Sequence, residues 1–167
     1  MYARIFNVLV ASPSDTQKER REMKKIVDSW NTISGRGRGI RFDPYFWESD
    51  TTPLLGHGAA QIIINGQIVD KADVLLSVFH GRLGQPTPTH VCGTAEEIER
   101  SVNRGIPVHV WISKRDLPND VDTAQLNALR DYVAQLRPQG LLGSYRSIRD
   151  LRKKVLSALE RDAQTLI

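Results

Sequence analysis

The chain has 167 residues, 40% of them hydrophobic and 25% charged, with a formal net charge of +4. This length suits one domain with a real core, and the balance of apolar and charged residues excludes a disordered, fibrous or low-complexity chain. The charge admits anionic partners, but its clusters at Arg36, Arg38 and Arg41 and from Arg146 to Lys154 carry no helix-turn-helix, zinc-finger or aromatic RNA-binding signature, so nucleic acid is not the expected partner.

Ile5 to Ala11 (IFNVLVA) reads as a strand, bounded by the turn-forming Ser12-Pro13-Ser14-Asp15. The period then lengthens: Met23, Ile26, Val27, Trp30 and Ile33 share one helical face. Ser14 and Gln17 have the spacing of a capping box for that helix, which is expected to stop near Gly35. Ile40 to Trp47 (IRFDPYFW) reads as a second strand, placed at a sheet edge because Pro44 cannot donate to a ladder. Glu48 to Gly58 is a polar loop, after which Ala60, Ile63, Ile64 and Ile68 recur at helical spacing until Asp70. The nearly unbroken apolar run Ala72 to Phe79 predicts a central parallel strand. Beyond the loop His80 to Cys92, Ala95, Ile98 and Val102 trace the inward stripe of a third helix, ended by Gly105 before a strand from Ile106 to Ser113. Leu126, Leu129, Val133 and Leu136 define a fourth helix, Leu141 to Tyr145 a short last strand, and Ile148, Leu151, Val155 and Leu159 a fifth helix opened by Ser147.

This alternation predicts one α/β domain over residues 1–167, a doubly wound, flavodoxin-like parallel sheet of five strands in the order 2-1-3-4-5. Ligands of such sheets gather at the carboxyl ends of the strands where the order reverses, here between the first and third. The segments to watch are therefore Ser12 to Asp15, Trp47 to Gly58, His80 to Gly84 and the start of the third helix. The first loop lacks the glycines of a dinucleotide fingerprint or a P-loop. His90 and Cys92 are too few to hold a metal, and none is expected. No apolar run approaches the roughly 20 residues of a membrane span. With no signal-peptide pattern and a lone cysteine, Cys92, a cytoplasmic protein is expected.

On the third helix, Thr94, Glu97 and Ser101 form a stripe beside the apolar face, while Glu96 points roughly away. Glu97 can thus line the cleft, where a carboxylate stabilises the cation that develops on a sugar ring or attacks its anomeric carbon. Thr94 and Glu97 also have capping-box spacing, and spacing alone favours that bland role. Taken alone, Asp15 reads as complementing a helix amino terminus, Glu48 as an exposed loop residue and Trp47 as edge packing more than a base-stacking platform. His80 and Arg82 read as phosphate or ribose contacts or as a polar strand end.

Taken together, VLVASPSDTQKER, the Trp47-Glu48 pair, QIIINGQIVDKADVLLSVFHGRLGQPT and GTAEEIERSVNRGIPV resemble, over nearly the whole chain, a bacterial TIR-like family known as a domain of unknown function. Such domains often stand at the amino end of larger signalling or defence proteins. They are similar in fold to TIR and SEFIR domains and to nucleoside 2-deoxyribosyltransferases. The portion from Gly93 to Ile98 is similar to the transferase motif that supplies a catalytic glutamate, so the resemblance assigns that role to Glu97. Enzymatic TIR domains likewise use a glutamate on the helix after the third strand, usually preceded closely by a serine or cysteine, where this chain has Thr94 and, five residues ahead, Cys92.

The resemblance implies N-glycosidase chemistry with NAD as substrate and no separate cofactor, releasing nicotinamide. Ser12, Asp15, Trp47, Glu48, His80, Arg82 and Thr94 are the candidate substrate-binding residues around Glu97. Base release or deoxyribosyl transfer from a nucleoside or nucleotide is the alternative. A third reading is a non-catalytic adaptor that self-associates, with Leu54 and Leu55 in the contact surface and Glu97 as a helix cap.

Overall fold

In the computed structural model, which describes residues 2–166, strands and helices alternate along the chain. The strands are β1 (Arg4–Ala11), β2 (Ile40–Tyr45), β3 (Val74–Phe79), β4 (Val108–Ser113) and β5 (Gly143–Tyr145). The principal helices are α1 (Gln17–Trp30), α2 (Ala60–Gln67), α3 (Gly93–Asn103), α4 (Thr123–Leu136) and α5 (Ile148–Thr165). All four strand pairs are parallel and the order is β2-β1-β3-β4-β5, the doubly wound, flavodoxin-like arrangement that the sequence predicts.

Because successive strand side chains point to opposite faces, the central strands divide between two apolar layers. β1 contributes Phe6, Val8 and Val10 to the layer under α1 and α5, where Met23, Ile26, Val27, Trp30, Leu151, Val155 and Leu159 are buried. It contributes Leu9 and Ala11 to the other layer, with Ala95 and Ile98 of α3 and Leu129 and Val133 of α4. β3 splits the same way and is buried along its whole length, which is why its sequence carries no polar alternation. Each such aliphatic side chain contributes about 1.5–3 kcal/mol on burial. At the edge, Asn31 replaces a missing neighbour strand: its Oδ1 accepts from the Phe42 N–H at 2.8 Å and its Nδ2 donates to the Phe42 carbonyl at 2.7 Å.

Several local expectations are corrected. Ser14 and Gln17 form no capping box; Ser14–Thr16 is a tight turn, in which the Thr16 hydroxyl donates to the Pro13 carbonyl at 2.7 Å. Gly35 does not stop the first helix, which runs on through a π-helical stretch, Asn31–Gly35, to Arg38 and ends at Gly39, where φ is +66°. The wider π turn rotates Ile33 out of the apolar stripe and leaves it 77% exposed. Gly35 serves close packing instead, since a Cβ there would lie 2.5 Å from the Ile40 carbonyl oxygen. β2 ends at Tyr45, and Trp47 falls in a single helical turn, Trp47–Asp50, fixed by the Asp50 carboxylate accepting from the Phe46 N–H. On α3 the buried residues include Thr94, Glu96, Glu97, Ile98 and Ser101, whereas Val102 is half exposed. That helix is covered by α2 as well as by the sheet, so polar side chains occupy its inward face and Glu96 does not point away. β5 begins at Gly143, leaving Leu141 exposed.

Candidate active site

The first crossover leaves the sheet on one face and the crossover after β3 on the other, so a gap opens above the carboxyl ends of β1 and β3. It is filled by a cavity of about 410 Å³, walled by the start of α1, the Trp47–Asp50 turn, α2, the loop after β3 and the first turns of α3. Ser12, Trp47, Glu48, Arg82, Thr94 and Glu97 all line it. Asp15 and His80 do not: the Asp15 carboxylate accepts from the Gly81 N–H at 2.8 Å, tying the β1 loop to the β3 loop outside the cavity wall.

Glu97 is 4% exposed, and its Oε1 accepts from Gln61 Nε2 at 3.3 Å. Burial pushes its carboxyl from the ordinary 4.5 up to about 7, with the adjacent Glu96 adding to the rise; the Gln61 hydrogen bond and the Arg20 charge oppose it. The carboxyl is thus poised between its two protonation states near neutrality. It caps nothing. The amino cap of α3 is Cys92, whose Sγ accepts from the Ala95 N–H at 3.3 Å, and Thr94 already lies inside the helix. Burial also raises the Cys92 thiol, against the pull of the Ala95 and Thr94 backbone N–H groups.

The residues that sequence reasoning missed are Arg20, Gln61 and Asn65. Arg20 is buried on α1, its Nε donating to Ser12 Oγ at 2.7 Å and its Nη2 to the Ser12 carbonyl. Its Nη1 pairs with Glu48. Burial lowers the Arg20 pKa, and the field of Glu97 holds it up. Ser12 accepts from Arg20 through its Oγ, which leaves its own hydroxyl hydrogen uncommitted. Arg20 was detectable, because it sits three residues before Met23 on the stripe that α1 buries. Gln61 and Asn65 gave a weaker signal, two amides four apart on one short helix.

Opposite Glu97, the loop after β3 is pinned by Gln125 of α4, whose Oε1 accepts from the Leu83 and Gly84 N–H groups at 3.1 and 3.0 Å. Gly84 has φ of +110°, a conformation that favours glycine. Among the described residues, six buried side-chain nitrogen or oxygen atoms have no partner, and only Arg82 Nε belongs to a residue of this cavity. No helix among the described residues is long and apolar enough to cross a membrane.

Comparison with known proteins gives a family and two distant structures. The family described as "Domain of unknown function (DUF4062)" matches residues 7–160. The crystal structure of a conserved protein from Enterococcus faecalis V583 is similar at 19% identity, covering 93% of this chain and 99% of that one with a TM-score of 0.48. The TIR domain heterodimer of RPS4 and RRS1 is similar at 13% identity, covering 95% and 98% with a TM-score of 0.46. No curated protein matches the chain.

Proposed function

The chain belongs to the DUF4062 family, and for it we propose an N-glycosidase activity that cleaves the nicotinamide–ribose bond of NAD, with Glu97 as the reacting carboxylate. The observation that carries this reading is a buried carboxyl, raised to about 7, opening on a cavity at the switch point and relieved of any capping duty. In NAD the leaving base is cationic, so the bond can break with its electron pair returning to the nicotinamide nitrogen and no acid is required. The Glu97 carboxylate faces the ribose cation left behind, and water adds to the anomeric carbon, releasing one proton. A bound cation also favours the ionised form of Glu97, preparing the site as substrate enters. The unpaired Arg82 guanidinium suits the phosphates of such a substrate, and Ser12 and Thr94 suit its ribose hydroxyls.

Purified protein incubated with NAD should release nicotinamide, and Glu97→Gln should lower the rate about 100-fold or more. Because the carboxylate must be ionised, kcat/KM should rise with pH through about 7, the value set by its burial. A nucleoside with a neutral leaving base would instead need Glu97 as an acid, and its cleavage would fall above that pH. Such a profile, with free base released from a nucleotide and no nicotinamide from NAD, would replace the proposed substrate.

One observation favours self-association beside this activity. Leu54 and Leu55 are 47% and 95% exposed on the loop after the Trp47–Asp50 turn and take no part in the cavity wall. Sedimentation at rising concentration should show assembly that the Leu54→Ser, Leu55→Ser double variant loses while its melting temperature stays unchanged. Monomeric behaviour of the unaltered protein at all concentrations would remove this second reading.

A further inference from the structure

We infer that Gln61 and Asn65 of α2, anchored on Glu96, are positioning residues that hold the Glu97 carboxylate toward the cavity. The four side chains form one continuous line. Asn65 Nδ2 donates to Glu96 Oε1 at 2.9 Å, Gln61 Nε2 donates to Asn65 Oδ1 at 3.1 Å, and the same Nε2 donates to Glu97 Oε1 at 3.3 Å. Asn65, Glu96 and Glu97 are buried, so none of these groups can exchange its partner for bulk water.

The direction of the line follows from its anchor. Glu96 Oε1 accepts from Asn65 Nδ2, which turns the Asn65 Oδ1 toward Gln61. That oxygen in turn obliges Gln61 to present Nε2, which has two hydrogens: one for Asn65 and one for Glu97. Reversing either amide would set oxygen against oxygen. Gly93 makes room for the arrangement, because a Cβ at that position would lie 2.6 Å from Gln61 Oε1. With Oε1 of Glu97 held by Gln61, its second oxygen is left to the cavity that Glu97 lines.

The titratable and charged groups around Glu97 sit on α1, on α3 and in the loops, and none is on α2. Arg20 faces it from α1, with Glu48 reaching Arg20 from the Trp47–Asp50 turn; Arg82 lines the same cavity from the loop after β3; Glu96 and Cys92 flank it on α3. His90 lies on the far side of Glu96, its Nδ1 3.6 Å from Glu96 Oε2 and its Nε2 2.5 Å from Glu99. Gln61 and Asn65 of α2 are uncharged, so removing Gln61 takes a hydrogen bond from Glu97 itself and removing Asn65 takes the bonds to Glu96 and Gln61, with no charge lost at either position.

The test is the carboxyl titration of Glu97, followed by carbon-13 NMR of glutamate-labelled protein and assigned by its absence in Glu97→Gln. Gln61→Met keeps the volume and removes the donor; the Glu97 midpoint should rise by about one unit. Asn65→Ala should raise it less, and the double variant no further than Gln61→Met alone, because Asn65 acts through Gln61. The pH profile of nicotinamide release should move with the NMR midpoint. This last arm rests on the proposed function; absence of turnover in the unaltered protein would refute that function while the titration still decides the relay. A folded Gln61→Met with the unaltered midpoint would overturn the inference, as would additive shifts in the double variant. If Gln61→Met does not fold, an unchanged midpoint in Asn65→Ala overturns it alone.

Discussion

Glu19 on α1 and Glu97 on α3 are both buried glutamates on helices packed against the same sheet, and they are satisfied in opposite ways. Glu19 is 1% exposed and its Oε1 meets the Arg115 guanidinium and, at 3.0 Å, the Tyr145 hydroxyl. Glu97 is held by one neutral amide at 3.3 Å, and Arg20, the cation whose field acts on it, makes its hydrogen bonds and ion pair with Ser12 and Glu48. A buried carboxylate with its own cation ties elements together, here α1, β5 and the segment after β4. One without a committed cation, opening on a cavity, is costly to the fold and available for chemistry. Burial is shared by the two glutamates; their partners differ.

Exchanging each glutamate for glutamine sharpens this contrast. The largest expected effect is on turnover: Glu97→Gln should lose about 100-fold or more in NAD cleavage, measured by nicotinamide release, whereas Glu19→Gln should retain the rate of its folded fraction. Next in size is the stability of Glu19→Gln. Removing the anion leaves the Arg115 cation without its partner, and since that side chain is 32% exposed the loss should be about 2 kcal/mol, below the range for fully buried pairs, measured by urea denaturation. The smallest effect is at the amino end of α3: Cys92→Ala should cost about 0.5 kcal/mol by removing a weak sulfur cap.

How far these roles were legible in the sequence depends on the range of the interaction. The strands and helices follow from local period, and the edge position of β2 from Pro44, so the strand order could be predicted. The same order directs attention to the ends of β1 and β3, and six of the eight candidate residues do line the cavity. Period fails where the chain leaves regular structure. The π-helical stretch reoriented Ile33, and the loops beyond β1 and β3 turned Asp15 and His80 away from the wall. Spacing points to Thr94 and Glu97 as the α3 cap because they match a common local motif, while the actual cap is a cysteine two residues earlier. Gln61 and Asn65 were missed because their meaning lies in the approach of α2 to α3, which no local pattern encodes.

The most direct test of Glu97 as a functional and not a structural carboxylate is the stability difference between Glu97→Gln and the unaltered protein, followed by urea denaturation from pH 5 to 8.5. The folded carboxyl titrates near 7 and the unfolded one near 4.5, so between these values the folded state binds more protons and its stability falls as pH rises, to a constant penalty above 7. A shift of that size corresponds to about 3 kcal/mol. Glu97→Gln should be within about 1 kcal/mol of the unaltered protein near pH 5 and more stable by up to about 3 kcal/mol above pH 7.5. A variant that is less stable at every pH would show that Glu97 holds the fold together and would contradict the account.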